Sequence, residues 1–421
     1  MSSALRVLRH RDFRYLFAGQ AASQIGDRAV VVALALYVTQ RSGSPSDLGL
    51  ILFAQSLPLV ILLLFGGVWA DRLPRHRIMI ATDAVRAGLH ALLAALIFFG
   101  PVAVWQIAAI EALFGAAQAF FQPAYSGLVP QTVPEESIQD ARAITESMSN
   151  LAFLLGPAIA TALVLGLGAW EAFALDAASF VLSAVLLTQV RPRVRAGVVM
   201  IQAGVMHDLR AGWREVRSRS WVWVTIVVFT GSVLCVYAQW YSLAPRIARD
   251  VYGSAGLFGL LESLTGVGAV LGAVVGLRWR PQRPLVMGML LILFWPINDL
   301  AFSLGAPLAL VCVSSLALGF GWALMAIWWE TALAQHIPPG ALSRVSAWDW
   351  MGSLALLPLG YALAGPLASA VGARTVLGVG SAIGVVLLVI GVLPRQTREL
   401  GYPAAAPSAW VPSSSSRAIS A

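Results

Sequence analysis

Apolar runs of about twenty residues, the length that crosses a bilayer as a helix, recur from one end of this chain to the other. Twelve can be marked, over 13–39, 48–70, 78–99, 102–124, 143–166, 170–190, 221–245, 255–277, 284–304, 306–332, 345–368 and 373–394. Only 11% of the 421 residues are charged, against about a quarter in a soluble domain. A deficit that deep, over the whole length, makes lipid the main solvent. In lipid each backbone N–H and C=O must find its partner inside the protein, so the runs are helices. A barrel needs segments of about ten residues with alternating polarity, and this chain lacks them. The predicted fold is all-α and integral to a membrane, with twelve transmembrane helices.

The charges that remain are unevenly placed. All 28 basic residues are Arg. Twenty-two fall on the side of the N-terminus, four on the other (Arg41, Arg246, Arg249 and Arg374), and Arg28 and Arg86 lie inside spans. Such asymmetry predicts that both termini are cytoplasmic. The Arg sit in short loops between apolar runs, so the basic excess reads as membrane orientation and not as nucleic-acid binding. The first run is too long for a signal-peptide core and has no small-residue cleavage site beside it, so it is expected to be retained. Cys235 and Cys312 lie within apolar segments and suggest neither a disulfide framework nor a metal site.

The longest loop, 191–220, divides the spans six and six. VPEESIQDARAI from Val133 is echoed by IPPGALSRVSAW from Ile337, and the same offset of 204 residues aligns LGPAIATAL from Leu155 with LGYALAGPL from Leu359. A shared offset points to duplication, an architecture used by secondary transporters that hold substrate between the halves. The expected organisation is an N-terminal six-helix bundle over 1–190, a basic cytoplasmic linker over 191–220, a C-terminal six-helix bundle over 221–394 and a disordered cytoplasmic tail over 395–421. Within the linker, Leu209, Trp213 and Val216 would share one face of a short surface helix, although a plain basic connection is the expected reading.

Between the second and third spans stands GGVWADRLPRHR. Gly67, Asp71, Arg72, Arg75 and Arg77 resemble the loop of the major facilitator superfamily, about Gly-x-x-x-Asp-Arg-x-Gly-Arg-Arg/Lys, with Pro74 in place of the usual Gly and His76 as a second departure. The corresponding second-half stretch, LGAVVGLRWRPQRPL, has lost the acid. Gly156 and Pro157 are similar to the fifth-helix motif of proton-exchanging exporters, without its later Gly positions. LRHRDFRYLFAGQAASQIGDRAVVVAL and FFQPAYSGLVPQTVP resemble the bacterial branch that includes macrolide and siderophore exporters. The resemblance covers roughly residues 1–394. It implies two pseudo-symmetric bundles that alternate access, in a bacterial inner membrane, acting as a monomer and exporting a drug, antibiotic or secondary metabolite in exchange for protons. It also implies that Asp71 latches the halves by docking on the N-terminal end of the eleventh helix, near Ser343 to Ser346, where an anion is favoured.

Charges inside a span are costly, about 2.5 to 3.5 kcal/mol each, and so face a protein interior or a cavity. Asp27 and Arg28 in the first span and Glu111 in the fourth are the deepest of the N-terminal half. Asp27 or Glu111 is a candidate proton carrier, with Arg28 governing it; a fixed ion pair is the structural alternative. Asp83 and Arg86, three apart, share a face and suit a local salt bridge. For Asp299, Glu330 and Asp349 capping or gating contacts are expected. Gln24, Gln118, Tyr125, Gln239 and Trp240 are candidates to line the path, though packing would also account for each.

No cofactor is implied. A phosphate-binding loop G-x-x-x-x-G-K-[ST] is impossible in a chain without Lys, so ATP is not expected to drive it directly. The chain has no H-E-x-x-H and no G-x-S-x-G, and its five His are scattered, which argues against an enzyme. Import of a small solute is the alternative within transport, and a non-transporting sensor or scaffold the alternative outside it.

Overall fold

The computed structural model describes residues 3–42, 44–193 and 205–401, excluding the side chains at 3–5, 45, 64–68, 70–72, 205–209, 339, 340 and 343. Twelve helices are long and apolar enough to cross a membrane. They are α1 (Arg11–Arg41), α2 (Pro45–Arg72), α3 (Arg75–Phe99), α4 (Val104–Leu128), α5 (Ile138–Gly166) and α6 (Ala169–Leu187). The second six are α7 (Ser220–Tyr252), α8 (Gly256–Gly276), α9 (Pro284–Leu304), α10 (Leu308–His336), α11 (Pro339–Leu354 and Leu357–Val371) and α12 (Ala373–Val392). The chain is a multi-pass membrane protein with the major facilitator architecture.

The helices turn where the sequence punctuates them. Gly100, Gly168, Gly253, Gly305 and Gly372 lie at the turns that end or begin helices on the side away from the N-terminus. Gly253 and Gly305 take the left-handed conformation, with φ of 82° and 76°, that ends a helix at little cost to Gly alone. The loop after α2 is shorter than the sequence suggests. The backbone stays helical through Arg72, leaving only Leu73 and Pro74 before α3.

The repeat is visible in the packing. A Cβ on Gly115 of α4 would fall on the Gln55 carbonyl of α2, and one on Gly319 of α10 would fall on the Thr265 carbonyl of α8. A Cβ on Gly156 of α5 would meet Arg28 of α1, and one on Gly360 of α11 would meet Ala238 and Leu234 of α7. Each pair of Gly is separated by the offset that aligns the sequence motifs, so small residues bring equivalent helices together in both halves.

Among the described residues the halves meet chiefly toward the face opposite the N-terminus, reaching as deep as Gly266 of α8 against the Leu154 backbone of α5. There one continuous apolar core takes in the ends of α1, α2, α5, α7, α8 and α11. Gly49 sits against the Tyr361 carbonyl, Gly256 against Leu165 and Gly259 against Thr161, while Arg249 Nη1 donates to the Thr39 carbonyl at 2.8 Å. Toward the N-terminal face each half has its own core, one around Phe13, Met79 and Leu128, the other around Trp221, Met289 and Leu333. The described structure is thus a pair of bundles joined at one face, with a cleft opening to the other. Arg28, in the middle of α1, is exposed because it projects into that cleft.

Part of the long connection forms a helix, Val205–Arg217. It packs on the start of α11: Gly212 touches Trp348 and Arg344, and the Trp213 and Trp348 rings are 5.0 Å apart. Val216 is buried in the C-terminal core. The Leu209 side chain, residues 194–204 and the tail beyond 401 lie outside the described residues; Arg395–Glu399, expected to open a disordered tail, is instead a short helix whose Gln396 Oε1 accepts from Ser220.

Candidate functional site

Six ionisable side chains from four helices converge in the interior of the N-terminal half. Asp83, Arg86 and His90 are spaced three and four apart, so they form one stripe along α3. Asp27 comes from α1, Glu111 from α4 and Asp176 from α6. Asp83, Glu111, Asp176 and His90 are wholly buried, Arg86 is 1% exposed, and the Asp27 side chain, at 30%, is the part of the cluster open to the cleft.

Arg86 is the hub. It pairs with Asp83 on its own helix, and its Nη1 is 3.7 Å from Asp27 Oδ2. Its guanidinium lies flanked by aromatic rings, 4.1 Å from the centre of Phe121 and 4.2 Å from Phe180, where planar delocalised charge is favoured. Ser183 Oγ donates to Asp83 Oδ2 at 2.7 Å and accepts from Gln20 Nε2 at 3.0 Å. Gly19 and Gly26 give α6 the room to come this close, because a Cβ on either would meet Ser183 or Asp176.

One turn further along α3, His90 lies between two carboxylates. Its Nδ1 is 2.5 Å from Asp176 Oδ2, and its Nε2 is 3.6 Å from Glu111 Oε1. The ring stacks on Phe114 with centres 4.2 Å apart and planes 2° from parallel. Gln55 Nε2 donates to the other Glu111 oxygen at 2.9 Å, tying the cluster to α2.

Among the described residues, the C-terminal half holds buried acids without such bases. Glu262 of α8 accepts from Trp240 Nε1 and from the Tyr241 hydroxyl, both at 2.7 Å. Arg28 is near enough to act electrostatically on Glu262, Tyr237 and Tyr241. At the α9–α10 contact Asn298 Oδ1 accepts from Ser314 at 2.6 Å and Ser315 at 3.2 Å, and Asn298 Nδ2 donates to Asp299 at 3.2 Å. By the repeat offset Ser315 stands where Glu111 stands, so the second half carries a neutral version of the same contact. Among the described residues no three His, Cys, Asp or Glu side chains converge as a metal would need.

Several expectations are corrected by this geometry. Arg28 does not govern Asp27; the next residue along a helix points about 100° away, and Arg28 lies instead over the Phe153 ring at 5.1 Å. The Asp83–Arg86 pair is not merely local, since it joins α1 and α6 as well. Gln239 is not a path-lining group: its amide donates to the Leu234 and Gly360 carbonyls and fastens α7 to α11. Trp240 serves Glu262 and is 6% exposed. Asp299 is no cap, being buried within α9 beside Asn298, and Asp349 accepts from Trp329 Nε1 at 2.8 Å within its own half. Arg75 does more than hold a loop in water: its Nη1 donates at 2.7 Å to the Gly127 carbonyl at the C-terminal end of α4, where positive charge is favoured. Arg77 is exposed.

Other candidates are placed near one another. Gln24 and Tyr125 meet beside Thr145 of α5, and Gln118 is half-buried a little earlier on α4. Gly156 and Pro157 are both buried, and Thr161 Oγ1 donates to the Pro157 carbonyl at 2.8 Å. The side chains of Asp71 and Arg72, and residue 67, are outside the described set. α11 begins at Pro339, so Ser343 to Ser346 lie a turn inside the helix and not at its N-terminus. His90 and Asp176 were not singled out as functional residues by sequence. The spacing of Asp83, Arg86 and His90 on one helical face is the signal that points to His90.

Comparison with known proteins agrees with this architecture. The family described as transmembrane secretion effector matches residues 2–285. Macrolide efflux protein A of Streptococcus pyogenes is 24% identical over 284 residues, covering 65% of this chain and 68% of that protein. Multidrug efflux pump Tap of Mycolicibacterium fortuitum is 28% identical over 407 residues, covering 91% and 96%. Among solved structures, the nucleoside transporter NupG aligns with a TM-score of 0.68 at 12% identity, over 90% of this chain and 98% of that one. A bacterial homologue of the human lysosomal transporter Spinster, inward-facing and unoccupied, aligns with a TM-score of 0.65 at 16% identity, over 91% and 95%.

Proposed function

The chain belongs to the transmembrane secretion effector family of major facilitator transporters, and from that premise we propose that it exports small amphipathic compounds of the macrolide and drug class in exchange for protons. The N-terminal cluster is the observation that carries the reading. Four carboxylates face one guanidinium and one imidazole, so charge balance leaves room for protons inside a low-dielectric interior. A scaffold has no use for such a cluster, and Asp27 gives it an opening to the cleft. The names of the macrolide and multidrug relatives support export over import.

With both termini in the cytoplasm of a bacterium and the protein in its plasma membrane, the cleft opens inward. Substrate enters from the cytoplasm or the inner leaflet and meets Arg28, Gln24 and Tyr125. The pathway runs between the halves of one chain, so a monomer suffices. Rocking of the bundles opens the opposite face, and Asp71 latches the cytoplasmic side when it closes.

The test is macrolide transport into everted vesicles under an imposed pH gradient. Transport driven by an acid interior is expected, with Asp27→Asn uncoupled from it. Wild-type transport indifferent to the gradient overturns proton exchange.

A further inference from the structure

We infer that His90 is the proton-carrying residue of this transporter, held at Nδ1 by Asp176 and handing a proton from Nε2 to Glu111, with α2 sensing the result through Gln55. The inference rests on the proton-exchange reading above.

Two buried atoms carry the argument. His90 Nε2 and Glu111 Oε1 face each other at 3.6 Å, and neither has a hydrogen-bond partner. Buried polar groups are almost always satisfied, and an orphan pair needs a reason. The two atoms share one remedy. With Nδ1–H donated to Asp176, the neutral ring presents a bare Nε2, and two acceptors then face each other across the gap. A proton placed on Nε2 turns that pair into donor and acceptor, and the gap can close to an ordinary hydrogen bond. Passing the proton on to Glu111 Oε1 restores the neutral ring and leaves a carboxylic acid. The one proton gained at Nε2 ends on Glu111 Oε1: an N–H bond breaks as an O–H bond forms, Nδ1–H stays with Asp176, and no other bond changes.

The surroundings fix the ring for this work. Phe114 stacks on its face, Phe173 meets it edge-on with centres 5.7 Å apart, and Asp176 holds Nδ1. The groups facing it are Asp27 from α1, Asp83 and Arg86 from its own helix, Glu111 from α4 and Asp176 from α6; α2 supplies the uncharged Gln55. Access comes from the cleft through Asp27, whose neighbour Gly26 lies directly against Asp176.

The output falls on α2. Glu111 Oε2 accepts from Gln55, whose backbone is already pressed against Gly115. The same helix carries Ser46 and Gly49 against α11 of the other half. A change in charge at Glu111 therefore acts on a helix that spans from the proton site to the contact between halves. This is what exchange of two ligands requires: one element biased by both sites.

His90→Gln in everted vesicles, with wild type beside it, provides the test. Coupling between two sites typically amounts to a factor of about 5 to 150. Stimulation of macrolide transport by an acid interior is expected to vanish in His90→Gln, while macrolide binding, read by tryptophan quenching, persists. Gradient stimulation that survives intact in His90→Gln overturns the inference. A wild type without stimulation fails at the earlier step, the proton-exchange reading. Should the variant not fold, wild type labelled with 15N-histidine decides. The chain has five imidazoles, at 10, 76, 90, 207 and 336, and His90 is identified as the one removed from water. Saturating macrolide is expected to change its tautomer or charge; a His90 signal that ignores macrolide at every pH refutes the role.

Discussion

Gly156 of α5 lies directly on Arg28 of α1: a Cβ there would stand 2.9 Å from the Arg28 carbonyl carbon and 3.0 Å from the Ala29 nitrogen. Backbone cannot retreat as a flexible side chain can, so even one methyl separates the helices. Overpacking of this kind costs about 1 to 3 kcal/mol. Gly156→Ala is expected to lower the unfolding temperature in detergent and to reduce efflux. Gly88→Ala is the matched control, because nothing lies within 4 Å of a Cβ there. In a helix that change gains about 0.5 to 1 kcal/mol relative to Gly, so its unfolding temperature should hold or rise.

Arg86 is expected to be the least replaceable charge in the protein. Removing it leaves Asp83 and Asp27 without a counter-charge, and breaking a buried pair costs about 3 to 5 kcal/mol. Arg86→Ala should fail to accumulate in membranes or unfold far below wild type. Arg86→Lys should recover only part, because an ammonium lacks the planar fork and cannot lie flat between Phe121 and Phe180. Adding Asp83→Asn to Arg86→Ala should restore some yield by removing one stranded carboxylate. Membrane yield and thermal unfolding of the three variants read this order directly.

These two sites mark what was legible in the sequence and what was not. Lipid imposes the helices, so apolar runs located all twelve spans, and the 204-residue offset of the LGP and LGY motifs located the equivalent packing of Gly156 and Gly360. Contacts across the bundle left no comparable trace. Asp27 finds Arg86 on another helix and not its chain neighbour, because a helix turns adjacent residues apart. His90 looked like one of five scattered His, yet Asp83, Arg86 and His90 already described one face of α3. Their partners at 111 and 176 could only be assigned once the helices were assembled.

Glu262 depends on its donors more than on its charge. Trp240 and Tyr241 each satisfy one oxygen, and a buried acceptor that loses its donor costs about 1 to 3 kcal/mol. Trp240→Phe and Tyr241→Phe are each expected to lower the unfolding temperature. Glu262→Gln should stay close to wild type, since its oxygen can accept from Trp240 and its amide can donate to the Tyr241 oxygen. A Glu262→Gln variant less stable than Trp240→Phe would show that charge, and not hydrogen bonding, holds this corner together.

Asp71→Asn tests the proposed latch on the N-terminal face. If the carboxylate holds the outward-facing state against the start of α11, at Pro339 and the residues after it, the Asn variant loses charge but not size. Turnover should fall while macrolide affinity measured at equilibrium changes little. Equal turnover in the two proteins would remove the latch from the mechanism.

The contact between α5 and α8 can be made permanent. A Cβ on Gly256 would lie 2.7 Å from Leu165 Cδ1 and 3.7 Å from its Cγ, close to the reach of a disulfide. Leu165→Cys with Gly256→Cys, in a protein whose Cys235 and Cys312 are changed to Ser, is expected to cross-link under oxidation. Alternating access requires this contact to part whenever the far face opens, so oxidised protein should stop transporting and reductant should restore it. Substrate offered to the N-terminal face should still bind, because the cleft there stays open. Transport that continues in the fully cross-linked protein would mean that the halves part elsewhere and that the contact between α5 and α8 is a fixed hinge.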